Sequence, residues 1–134
     1  MKSRNFLNIL LIIMLAACGS MDFKNQMSKL DDTLTKYGTA LRWAQIRDAA
    51  SYHIKRNEEQ VVVDLAHMEK FNITSVDVLE KTPNQDGTEA SILIEISYYS
   101  KDRGTLQKVR QAQLWWYNQK AKHWLIDSDF PEFK

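Results

Sequence analysis

Apolar positions in this chain repeat first at three- and four-residue steps and later at every second residue. Met27, Leu30, Leu34, Tyr37, Leu41 and Ala44 fall on one stripe of a helix. Asp31 and Asp32 near its start suit the positive end of the helix dipole. Gly38, inside the stripe, costs about 1 kcal/mol against alanine and points to close packing. A second helical piece is predicted over Asp48–Ile54, with Asp48 as its N-cap. The two pieces either run on or break around Gln45–Arg47. Between Asn57 and Lys70 neither period holds. Val61, Val62 and Val63 favour a strand, Leu65 and Met68 a helical turn, and the stretch reads as irregular with room for one short helix.

From Phe71 the period is two. Strands are predicted over Ile73–Lys81, Glu89–Ser100, Thr105–Asn118 and His123–Ser128. In the second, Ile92, Ile94, Ile96 and Tyr98 alternate with Leu93, Glu95, Ser97 and Tyr99. Pro83–Gly87, Lys101–Gly104 and Gln119–Lys122 carry turn chemistry. Helices first, then strands joined by tight turns, predict an α+β fold. Its amino-terminal helices pack on one face of a curved antiparallel sheet of four or more strands.

Ahead of the helices lies a different pattern. Lys2 and Arg4 precede Phe6–Ala17, which is apolar except for Asn8, and the small residues Ala16, Ala17, Cys18 and Gly19 follow. That is the layout of a secretory signal peptide. Counted through Cys18 the run has at most 13 residues, against about 17–25 for a membrane span, and Asp22 and Lys24 close it off. The stretch Leu15-Ala16-Ala17-Cys18 resembles the bacterial lipobox. The resemblance implies that residues 1–17 are removed, that the Cys18 sulfur carries a diacylglyceryl group, and that the new amino terminus is acylated. A cysteine is needed because only its thiolate can take the lipid. Each buried methylene adds roughly 0.8 kcal/mol of membrane affinity, and two or more chains give a stable anchor. Residues 18–28 then read as a lipidated polar tether and 29–134 as one α+β domain. Gly19, where an aspartate would hold such a protein at the inner membrane, implies an outer-membrane address facing the periplasm.

Composition sharpens this. Cys18 is the only cysteine, so the lipid would consume the only thiol and leave no disulfide or redox pair. Four Trp and five Tyr supply area for a hydrophobic core. The formal charge of +1 becomes −1 when Lys2 and Arg4 leave with the leader.

The element order, with Tyr37-Gly38-Thr39-Ala40-Leu41-Arg42-Trp43, Asp48-Ala49-Ala50, Trp115-x-Tyr117, Trp124-x-Ile126 and Phe130-Pro131, resembles the cone-shaped superfold of nuclear transport factor 2, ketosteroid isomerase and polyketide cyclases. That resemblance implies helices seated in the concave face of the sheet. Because the superfold hosts unrelated functions, it implies no reaction.

An enzyme of this shape needs ionisable groups inside the cone. Tyr37, Tyr52 and Tyr98 are expected to face inward and are the candidate cavity residues. Asp48 is occupied as a cap, and Asp77 points away from the apolar face of Val76 and Val78. With no carboxylate placed inside, no catalytic residues are assigned. An interior filled by Trp43, Ile94, Ile96 and one of Trp115 and Trp116 would leave an enzyme little room. His53, His67 and His123 lack ligand spacing and read as surface histidines, so no metal is expected. The four glycines are isolated, which gives no phosphate loop, and no cofactor is expected. Charge offers more. Lys101, Arg103, Lys108, Arg110, Lys120 and Lys122 stand against Asp102 alone between residues 101 and 122. Lys108, Arg110 and Trp116 share one strand face and form a candidate partner-binding surface. In the envelope an acidic protein or an anionic glycan suits it better than nucleic acid. Of the adjacent tryptophans, one should be buried and the other partly exposed. The sequence therefore points to a lipid-anchored, non-catalytic binding or scaffold module. The alternative is a small-molecule-binding or isomerase/cyclase-like domain using the cone interior.

Overall fold

The computed structural model describes residues 2–134, with side chains from Asp22 onward; the leader and Cys18 lie outside those side chains. Three helices and four strands follow one another as α1 (Lys2–Arg42), α2 (Ile46–Ser51), α3 (Leu65–Met68), β1 (Phe71–Pro83), β2 (Glu89–Ser100), β3 (Leu106–Asn118) and β4 (His123–Ile126). The strands form one open antiparallel sheet in the order β1-β2-β3-β4. The fold is α+β, with α1 packed on the sheet. Leu30, Leu34, Tyr37 and Leu41 of α1 share a core with Ile92, Ile94, Ile96, Trp115, Trp124 and Ile126. The helix residues and Ile92, Ile94 and Ile96 are those that the two periods place on the apolar helix stripe and sheet face; Trp115, Trp124 and Ile126 join them in the core.

α1 stops through a Schellman-type end. The Gln45 N–H donates to Ala40 O and the Ala44 N–H to Leu41 O. Ala44 takes φ 56, the left-handed position that glycine usually fills. This break displaces the second helix. It starts at Ile46, two residues before the expected Asp48, and its N-cap position is Gln45. Asp48 therefore sits in the first turn of α2 and does not cap it. α3 is the short helix in the irregular stretch, capped by Asp64 accepting from the His67 N–H. Gly38 marks the crossing of α1 over β1, where an added Cβ would lie 3.6 Å from the Val76 side chain.

The stretch read as a tether is helical, and Phe23, Gln26 and Met27 within it are half-buried. A Cβ on Gly87, which has φ +68, would come within 3.0 Å of the Phe23 ring. The Trp124 indole N–H donates to Gln26 O at 3.2 Å. The start of this packed helix therefore sits beside the β1–β2 turn and β4. Asn118 pairs with His123 at the same end, since Glu89 pairs with Trp116. The turn after Ser100 lies at the opposite end, where Phe71 pairs with Ser100 and Tyr99 with Leu106.

Candidate functional site

The deepest polar groups of the domain are gathered from four separate elements. Tyr37 comes from α1, His53 from just after α2, Gln113 from β3 and Ser128 from the segment after β4. His53 Nδ1 lies 2.9 Å from Ser128 O, and its Nε2 lies 2.8 Å from Tyr37 Oη. A carbonyl can only accept, so Nδ1 carries the proton and Nε2 accepts from the tyrosine hydroxyl. Gln113 Nε2 donates to Tyr37 Oη at 3.3 Å and to Gln111 Oε1 at 2.8 Å. Trp115 Nε1 donates to Gln113 Oε1 at 3.0 Å. Gln111 Nε2 in turn donates to Asp129 O. Every donor in this chain thus has a direction and a partner.

Its environment keeps the network neutral. Burial lowers the pKa of His53 to about 4, with the Ser128 hydrogen bond and the nearby Asp129 acting in the opposite sense. Burial raises that of Tyr37 well above the ordinary tyrosine value, against a smaller opposing effect from Gln113. Aromatic edges close the shell, with Tyr52 and Trp115 against Tyr37, and Phe130 against His53. The expectation of a surface histidine fails for His53, which is 0% exposed. A signal was present: His53 falls four residues after Ala49 and three after Ala50, both buried on α2, and so continues their helical face. A general base needs a free lone pair directed at substrate. That of His53 is already engaged by Tyr37.

The three candidate tyrosines do not form one site. Tyr37 and Tyr52 meet edge to face at 5.9 Å between ring centroids. Tyr98 instead joins Phe71 and Phe133, and its hydroxyl bonds Gln107 Oε1 at 3.0 Å. Trp115 is buried and Trp116 half-buried, as expected of the pair. Trp43 is 70% exposed, which corrects its place in the interior. It follows Arg42 at the point where α1 ends, beyond the stripe that faces the sheet.

Outside this network lies a cleft of about 510 Å³ between α1 and β1. Leu34, Val76 and Ile94 contribute apolar wall, Tyr37 closes the inner side, and Asp31, Arg42, Asp77 and Lys81 carry charge there. Asp31 and Lys81 form an ion pair across it.

The basic stretch does not make one surface. Lys101 and Arg103 lie at one end of the sheet and Lys120 and Lys122 at the other. Lys108 and Arg110 lie mid-strand and both hold Glu95 of β2, at 3.1 Å and 2.7 Å. Their long stems cover that carboxylate, which is only 8% exposed although it faces outward. The Arg110 and Lys108 hydrogen bonds keep its pKa below the usual carboxylate range. Trp116 is pinned by its indole N–H to Ile54 O at 3.0 Å. Charge reversal at Lys108 and Arg110 is therefore expected to lower the melting temperature, because it surrounds Glu95 with like charge beside Asp77. Reversal of Lys101 and Arg103 should leave the melt nearly unchanged. Equal melts for both pairs would show that the Glu95 contacts contribute nothing.

Among the described residues no group of three or more His, Cys, Asp or Glu could hold a metal ion. No helix among them is long and apolar enough to cross a membrane. Compared with protein-family models, curated proteins and solved structures, the chain matches none.

Proposed function

We propose that this chain is a lipid-anchored protein of the bacterial envelope, held at the outer membrane through Cys18, whose domain is a non-catalytic binding or scaffold module. One observation carries the anchor: a short apolar run with cationic start ends in Leu15-Ala16-Ala17-Cys18. The sheet and its helices are read as a nuclear-transport-factor-2-like arrangement. The non-catalytic reading is supported by an interior whose Tyr37, His53, Gln113 and Trp115 polar atoms bond one another. With Lys108 and Arg110 committed to Glu95, the α1–β1 cleft becomes the better place for a partner, an acidic protein or anionic glycan contacting Arg42. Confinement at the membrane lets a weak contact suffice.

Cys18→Ser is expected to abolish metabolic labelling with palmitate and to release the protein from the membrane fraction. Labelling that persists rejects the anchor. One observation favours the alternative of a small-molecule-binding or isomerase/cyclase-like domain, namely that the cleft reaches Tyr37. A small ligand that raises the melting temperature, and loses that effect in Val76→Trp, would favour it over the scaffold reading.

A further inference from the structure

The lysines that the β3–β4 turn and the packed part of α1 place at one end of the domain have no ion-pair partner among the described residues. Lys120 and Lys122 lie in that turn and are exposed, as is Lys24 beside Phe23 in α1. Lys29 lies over the Tyr117 ring at 5.5 Å, at the same end of β3. Asp22 and Asp86 are the exposed acids near them, so cations prevail.

This end is also the one next to the anchor. Phe23 packs against Gly87 and Gln26 against Trp124, so Cys18 lies a short stretch of chain from this end. Gly19, Ser20 and Met21 alone separate Cys18 from Asp22. Even fully extended, four residue steps reach roughly 14 Å. The opposite end, with Lys101 and Arg103, lies a full strand away. β3 has 13 residues, and at about 3.3 Å per residue it spans roughly 40 Å. Electrostatic attraction fades over about 8 Å at physiological salt. With the domain upright, the Lys101–Arg103 end would lie out of range of the bilayer that holds Cys18, whereas the lysine end, a short stretch of chain from Cys18, can reach it.

We propose that this end is a contact surface for the phosphate headgroups of anionic phospholipids, so that the anchored domain stands on the bilayer with Lys24, Lys120 and Lys122 down and the 101–104 turn pointing away. The inference rests on the lipid anchor at Cys18 and adds an orientation to it. Standing this way, the domain presents its far end and the cleft beside α1 to the periplasm.

The test uses the lipidated protein in vesicles of phosphatidylcholine, with and without phosphatidylglycerol. A single introduced cysteine, Gln119→Cys or Asp102→Cys, carries a fluorophore, and headgroup-labelled nitroxide lipid is the quencher. In anionic vesicles the label at 119 is quenched and that at 102 is not. Lys120→Gln with Lys122→Gln lowers the ratio of docked to undocked protein roughly twenty-fivefold, about fivefold per lysine. The melting temperature stays the same, since neither lysine has an ion-pair partner among the described residues. Equal quenching at both sites, or quenching at 119 indifferent to the lysines, overturns the orientation if mass spectrometry finds the lipid on Cys18. An unlipidated mass overturns the anchor itself, and the orientation with it.

Discussion

Replacing Tyr37 by phenylalanine, a loss of one oxygen atom, is expected to destabilise the domain by about 3 kcal/mol. The hydroxyl donates to His53 Nε2 and accepts from Gln113 Nε2. Without it both groups stay buried and unpaired, at roughly 1–3 kcal/mol each. Water cannot readily replace it, because Tyr37 is 1% exposed. Tyr37→Ala should cost more still, since aromatic-to-alanine changes in a core add about 3–5 kcal/mol. Against a typical total of about 5–15 kcal/mol, that variant approaches unfolding, and the phenylalanine change is the cleaner test. Tyr98→Phe is the control: its hydroxyl donates to Gln107 Oε1 and accepts from the Lys134 N–H, partners at a part-buried site that reach solvent and can turn to water instead. Urea denaturation of the three proteins decides. A Tyr37→Phe change no larger than that of Tyr98→Phe would mean that the network contributes little.

The second large effect is on acid stability. A free histidine titrates near 6.5, and burial brings His53 to about 4. Between those values the unfolded chain takes up a proton that the folded chain refuses. Stability therefore falls as the pH drops from about 6.5 to about 4, and this contribution is constant below. The integrated loss is about 3 kcal/mol. Glu95 acts lower on the scale, because its folded pKa lies beneath the usual carboxylate range. Its stabilisation is present above that range and is lost as the pH falls through its folded value. His53→Gln keeps an amide near the tyrosine but cannot ionise. Its denaturation midpoints should lose most of the slope between pH 6.5 and 4.5 that the parent protein shows. A parallel slope in both proteins would place the acid sensitivity elsewhere.

The sheet was the most legible part of the chain. β2 spans Glu89–Ser100 as its alternation predicts, and β3 begins one residue later than expected. Both strands have one buried and one outward face, so period two is written into them. β1 is longer than predicted, Phe71–Pro83, and the register shifts at Ile73/Ser75 and Val78/Glu80 blur its alternation. The boundary between α1 and α2 was harder to place. It depends on Ala44 adopting a conformation that alanine seldom takes, and no composition signal marks that. His53, Gln113 and Ser128 were illegible as a group for a different reason. Their partners lie far apart in sequence, and period analysis sees only neighbours within a turn or a pleat. Lys108 and Arg110 looked free because Glu95 faces them only once register aligns β2 with β3.

The segment after β4 has a further consequence. It supplies the carbonyl of Ser128 to His53 and that of Asp129 to Gln111, and it lays Phe130 against the His53 ring. Emerging from a ribosome or a translocation pore, the chain delivers Tyr37 and His53 long before the residues that complete their surroundings. Contacts so distant in sequence slow folding, because loops must close before they are rewarded. The interior can thus be sealed only once residues 128–130 have emerged, and until then the nascent domain stays an open substrate for chaperones and proteases.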